Sequence, residues 1–138
     1  MDMEINGIAH VMLTVSDFEA CRVFWGRLLP ELGLTPLIDS ADNYYCIGGR
    51  TAIGIQRGNV GDRFDQQRSG LHHVCLRARE RQDVDSLHEL LVEMGATVVH
   101  PPREDEWAPG YYSLLFEDPD GIRVEMNHVP GKGWLKKD

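Results

Sequence analysis

A seven-residue pattern occurs twice in this chain, and the repeat limits the fold more than any other feature. Gly7-Ile8-Ala9-His10-Val11-Met12-Leu13 and Gly70-Leu71-His72-His73-Val74-Cys75-Leu76 both read Gly-x-x-His-Val-x-Leu, 63 positions apart. A chain that repeats at this distance folds as two copies of one supersecondary unit. A helical stretch follows each copy. In the first, Ser16 or Asp17 is the expected N-cap before Phe18, Cys21, Phe24, Trp25, Leu28 and Leu29; in the second, Asp83 or Asp85 is expected to lead the set Val84, Leu87, Leu90, Leu91 and Met94. Gly33 and Gly95 stop the two helices, and Pro30 is expected to end the regular part of the first one early.

Three short strands follow in each half, at about 35–39, 43–48 and 51–57, then at about 97–100, 110–117 and 122–128. Gly48-Gly49 turns one hairpin and Asp118-Pro119-Asp120-Gly121 the other. The reading is an α+β fold of two βαβββ modules. Module one spans about 5–57, a polar linker about 58–69, module two about 70–128, and a tail 129–138. Because units of this size hardly sustain separate cores, all 138 residues are expected to form one domain. The segment Pro101 to Gly110 reads as a stiff charged flap carrying Trp107. The tail, with Trp134, is expected to cross the cavity mouth or a dimer partner.

Strand parity divides the side chains into two faces. Val11, Leu13 and Val15 face the helices, as do Val74 and Leu76, Ile53 and Ile55, and Ile122, Val124 and Met126. The opposite face then carries His10, Met12 and Thr14; His73, Cys75 and Arg77; Ala52, Gly54 and Gln56; Arg123, Glu125 and Asn127; and Tyr111 and Ser113. Curvature of the sheet makes that face a cavity lined by His10, His73 and Glu125. Two imidazoles and a carboxylate hold a divalent metal and leave positions open. Each residue also has a structural reading: a hydrogen-bonded histidine at a strand start, or a Glu125 paired with Arg123 on the same face. Cys75 reads either as a metal-adjacent thiol or as a small buried hydrophobe.

These residues resemble the vicinal oxygen chelate superfamily, also called the glyoxalase, bleomycin resistance and extradiol dioxygenase superfamily. The resemblance runs from about Ile5 to His128. It is carried by the two histidine motifs and by Asp118-Pro119-Asp120-Gly121-Ile122-Arg123-Val124-Glu125, close to the family's Asp-Pro-Asp-Gly-x-x-x-Glu ending. It implies βαβββ modules paired into a cupped mixed sheet around one metal site, a homodimer, and metal ligation by His10, His73 and Glu125. His72 has the wrong parity for a ligand. Glyoxalases carry a fourth ligand on the fourth strand, and methylmalonyl-CoA epimerases carry Gln there; in this chain that place falls on Ile53 or Gly54, with parity favouring Gly54. The remaining three-ligand set resembles that of the extradiol dioxygenases and the fosfomycin-modifying members.

The resemblance therefore implies an enzyme chelating two neighbouring oxygens of a small-molecule substrate on one divalent ion, Fe2+ or else Mn2+, Ni2+, Zn2+ or Co2+. Dioxygenase-like chemistry competes with lyase or isomerase chemistry. A third reading, from a different class, is a protein that sequesters an antibiotic or aromatic compound between Tyr44, Tyr111 and Trp107 without turnover. Tyr111 is the candidate proton donor; Arg123, Gln56, Asn127 and Trp107 are candidate substrate contacts.

Charge narrows the partners. With 14 Lys and Arg against 22 Asp and Glu the net charge is −8, which repels nucleic acid and anionic membrane surfaces. Lys132, Lys136 and Lys137 make the clearest basic patch. Three cysteines without a CxxC pattern, and an acidic first segment unlike a signal peptide, make a soluble cytoplasmic protein the expectation.

Overall fold

The computed structural model describes residues 2–131, so the expected packing of Trp134 and the basic patch lie outside the described residues. The chain divides into two compact units, residues 1–64 and 65–138. The first contains β1 (His10–Val15), α1 (Phe18–Glu31), β2 (Thr35–Asp39), β3 (Asn43–Gly48) and β4 (Thr51–Arg57). The second contains β5 (Val74–Arg77), α2 (Arg81–Glu93), β6 (Thr97–Asp105), β7 (Tyr111–Glu117) and β8 (Arg123–His128). No helix or strand occurs between Arg57 and Val74.

Each unit holds one four-stranded mixed sheet. The orders are β1-β4-β3-β2 and β5-β8-β7-β6, with the first pair parallel and the others antiparallel in both. The βαβββ reading is thus the observed topology. In the first unit the apolar stripe of α1 (Phe18, Cys21, Trp25, Leu28, Leu29) is buried, together with Leu13, Val15, Ile53 and Ile55 of the sheet. In the second, Val84, Leu87 and Leu91 of α2 are buried, with Leu114, Phe116, Val124 and Met126. The buried sheet residues alternate with the expected site face along β1 and β8.

Four local expectations are corrected. Helix α1 runs through Pro30 to Glu31, because a proline in the last turn forfeits only the bond to the Gly26 carbonyl. Asp17, not Ser16, caps its start by accepting from Ala20 N–H at 3.1 Å. Helix α2 begins at Arg81, earlier than expected. Glu80 is its N-cap, and Asp83 sits in the first turn, its carboxylate accepting from Glu80 N–H at 3.0 Å. Asp85 instead accepts from the Tyr112 hydroxyl.

The third correction concerns the flap. Residues 101–105 belong to strand β6, which pairs with β7 as far as Asp105 and Tyr111, with register shifts around His100. Prolines 101 and 102 are tolerated because β6 is the sheet's edge and because both fall in the register shift between His100 and Arg103, where the ladder to β7 is interrupted. Only the turn 106–110 remains of the flap, and Trp107 on it is 74% exposed. The fourth concerns Tyr44, which is 1% exposed beneath the Arg22 guanidinium, 3.9 Å from its ring centre. Tyr44 pairs with Ile55, so it belongs to the helix side and not to a ligand cavity.

Candidate functional site

The βα repeat places the key residues by strand register. In the first unit Met12 pairs with Gly54; in the second Cys75 pairs with Glu125. Met12 lies two residues after His10, and Cys75 two after His73. Gly54 is therefore the first unit's counterpart of Glu125, which decides between Ile53 and Gly54 for the fourth-ligand place. That place is closed as well as empty of donors. A Cβ at Gly54 would stand 2.6 Å from Tyr45 Cδ2, 2.7 Å from Met12 Sδ and 3.2 Å from the Tyr44 carbonyl oxygen. The absent side chain lets Tyr45 and Met12 close over the strand.

Gly54→Ala is accordingly expected to lower stability by about 1–3 kcal/mol, the usual cost of overpacking. The thioether can swing aside, whereas the ring and the backbone carbonyl must move together. Urea unfolding checks this; an unchanged midpoint would show that the neighbours yield to a Cβ there.

Glu125 is the centre of the second unit's polar face. Its side chain is only 13% exposed, and both oxygens are engaged. Oε1 lies 3.1 Å from His73 Nε2, while Oε2 accepts a hydrogen bond from the Tyr111 hydroxyl. The expected Arg123–Glu125 pair does not form: Arg123 Nε instead donates to Glu117 Oε2 at 3.1 Å, directly across the β7–β8 ladder. The Tyr111 phenol is pushed well above its ordinary value, first by burial and then by its bond to Glu125, so it keeps its proton. Cys75 is exposed, not the small buried hydrophobe of the alternative reading, yet desolvation of its thiol, helped by the Glu125 charge, pushes it up to about 12, so at neutral pH it is a thiol.

His73 stands one residue before β5. Its Nδ1 is 2.8 Å from His72 Nδ1, and the Gln66 side-chain nitrogen lies 3.3 Å from that same His72 atom and 3.1 Å from the His72 carbonyl oxygen. A polar chain thus runs from Gln66 through His72, His73 and Glu125 to Tyr111. Asn127 lies within hydrogen-bond reach of Tyr111 and opposes the upward shift of the phenol. Arg77, exposed and in register with Asn127, presents a guanidinium on this face.

In the first unit His10 opens β1 on its exposed face, with the Tyr45 ring edge-on at 6.2 Å between centres. Gln56 is exposed and donates to Thr14 Oγ1 at 3.0 Å. Among the described residues no three His, Cys, Asp or Glu side chains are already gathered around a point fit for an ion. His73 and Glu125 nevertheless suit one. Bonds of about 2.1 Å from an octahedral ion put two neighbouring ligand atoms about 3.0 Å apart, against the 3.1 Å observed.

Tyr45, Gln66 and His72 were not among the expected functional residues. Parity does carry a signal for Tyr45, since it pairs with Gly54 on the His10 face. For Gln66, six residues from His72 in an irregular segment, nothing in the pattern pointed to the contact.

Residues 7–126 match the family profile of the Glyoxalase/Bleomycin resistance protein/Dioxygenase superfamily. The chain belongs to this superfamily. It is similar to the uncharacterized protein YqjT of Bacillus subtilis (strain 168), with 30% identity over 125 residues, 85% of this chain and 94% of that protein. Among solved structures it resembles a glyoxylase/bleomycin resistance protein/dioxygenase domain from Frankia sp. EAN1pec, with TM-score 0.72 and 27% identity, covering 91% of this chain and 98% of the other. The superfamily fold also extends to lactoylglutathione lyase from Agrobacterium tumefaciens, with TM-score 0.69 and 20% identity over 91% and 96% of the two chains. Fosfomycin resistance protein FosX from Mesorhizobium loti shares it too, with TM-score 0.63 and 20% identity over 91% and 94%. Members typically use a divalent metal. No described helix is long and apolar enough to cross a membrane.

Proposed function

We propose that this superfamily member is a metal-dependent enzyme in which His10, His73 and Glu125 hold one divalent ion that chelates two neighbouring oxygens of a small substrate. The observation that carries the reading is the His73–Glu125 pair, whose 3.1 Å separation suits neighbouring ligands of one ion. When bound, the ion supplies Lewis acidity to the chelated oxygens. Glu125 Oε1, on the His73 side, would face the ion, while Oε2 accepts from the Tyr111 hydroxyl. Tyr111 keeps its proton and so fixes the carboxylate's orientation. Arg77 and Asn127 present donors that can orient an anionic group of the substrate.

Dioxygenase-like chemistry is the leading reading. Three protein ligands leave three octahedral positions, one more than a bidentate substrate fills, and the closed Gly54 place supports that count. Lyase or isomerase chemistry is the second reading, since a lactoylglutathione lyase is among its structural neighbours.

Elemental analysis of untagged protein purified without oxygen tests both. One ion per chain is expected. Iron would direct assays to oxygen uptake with catechol-like substrates. Nickel, zinc, cobalt or manganese would direct them to hemithioacetals, epimerisation and thiol addition. Protein that carries no metal and takes none up on reconstitution would overturn the proposal.

A further inference from the structure

The polar chain leading away from Glu125 has a direction, set by what each atom can do. The Gln66 atom within 3.1 Å of the His72 carbonyl oxygen must be the amide nitrogen, since a carbonyl only accepts. That nitrogen also faces His72 Nδ1 at 3.3 Å, and an amide nitrogen only donates. His73 can ligate through Nε2 only with its own proton on Nδ1, which makes His72 Nδ1, 2.8 Å away, the acceptor of that pair. With its proton on Nδ1, a neutral His73 turns a bare lone pair on Nε2 towards Glu125 Oε1. Two acceptors face each other there, an arrangement resolved either by a proton on Nε2, which makes His73 an imidazolium paired with Glu125, or by a metal ion between them.

We infer that Gln66 and His72 are positioning residues that lock His73 into the Nδ1–H tautomer and thereby aim its Nε2 lone pair at a metal ion. The inference rests on His73 being a ligand, as proposed above. The contacts are built from a segment that otherwise lacks regular structure, since Gln66 lies in the stretch between Arg57 and Val74. Ligating histidines generally hold their tautomer through such a partner on the other ring nitrogen. Here the partner is the preceding residue, itself oriented by a side chain six positions earlier.

The test compares two variants of an exposed residue that differ in one property. In His72→Asn the amide oxygen takes the place of Nδ1 and can still accept; His72→Leu has the same reach and no acceptor. Titration with Co2+, read from its visible absorption, is expected to show His72→Leu binding about 10–100-fold more weakly than the unaltered protein. His72→Asn should stay within a few-fold, and Gln66→Leu should fall between. Equal affinity in the Leu and unaltered proteins would overturn the inference, as would an Asn variant that loses as much as the Leu variant.

A second readout needs no metal. Long-range nitrogen–proton NMR of the metal-free protein, at a pH where both rings are neutral, reports which nitrogen of His73 carries the proton. Nδ1–H in the unaltered and Asn proteins, lost in the Leu protein, is expected; an unchanged tautomer in the Leu protein would overturn the inference. Failure of the unaltered protein to take up Co2+, with this tautomer pattern intact, would instead remove the metalloenzyme reading alone.

Discussion

His73→Ala is expected to abolish stoichiometric metal binding while leaving the fold in place. The residue precedes β5, is about one-third exposed, and contributes nothing to the buried core of its unit. Its loss removes a ligand outright, so the fall in affinity should exceed the roughly 10–100-fold typical of altered outer partners. The thermal midpoint of the metal-free protein should barely move, because substitutions away from the core usually change stability by about 0.5 kcal/mol or less. Elemental analysis and Co2+ titration, run beside thermal unfolding, separate these effects. His10→Ala, made in the other unit, should lose metal to a similar degree. If His73→Ala loses the ion and His10→Ala keeps it, the third ligand lies elsewhere. Retention by His73→Ala would reject the ligand set as a whole.

Much of this site was legible because strand parity is a rigid rule. Once His10 and His73 were aligned through the repeat, alternation along β1, β5 and β8 placed Glu125, Cys75 and Asn127 on one face and Val124 and Met126 on the other. The observed ladders agree. What parity does not supply is the competition among neighbours on one face. Arg123 and Glu125 share a face but sit two apart along one strand, whereas Glu117 stands directly opposite Arg123, where cross-strand side chains come closest. The arginine takes the nearer carboxylate, and Glu125 is left to His73 and Tyr111.

The edge position of β6 was hidden for a similar reason. Two adjacent prolines look like a strand break unless the strand's place in the sheet is known, and that place depends on pairings distant in sequence. Tyr44 and Tyr45 show the limit at its sharpest. A shift of one residue moves an aromatic ring from the core under Arg22 to the face bearing His10.

The turn before β8 joins the fold to the site, and Asp118→Ala is expected to show it. Asp118 is 3% exposed, and its Oδ1 accepts from Asp120 N–H at 2.8 Å and Ile122 N–H at 2.9 Å. Its backbone closes the same turn, donating to the Ile122 carbonyl and accepting from Gly121 N–H, both at 3.0 Å. Gly121 takes φ of +85°, which a side chain would resist. Removing the carboxylate strands two amides beside buried residues, at a cost of about 3 kcal/mol for two bonds to a charged acceptor. A lower urea midpoint with an unchanged slope would report that loss as stability alone. Asp118→Asn retains a carbonyl acceptor at the same reach and should lose much less. Strand β8 starts two residues after Gly121, so the register that brings Glu125 opposite Cys75 is set at this turn. Weaker Co2+ binding by folded Asp118→Ala would therefore show that the Asp-Pro-Asp-Gly sequence serves the ligand as well as the hairpin. Unaltered stability would mean that the two amides find other partners, and that the turn is held by its glycine and backbone bonds.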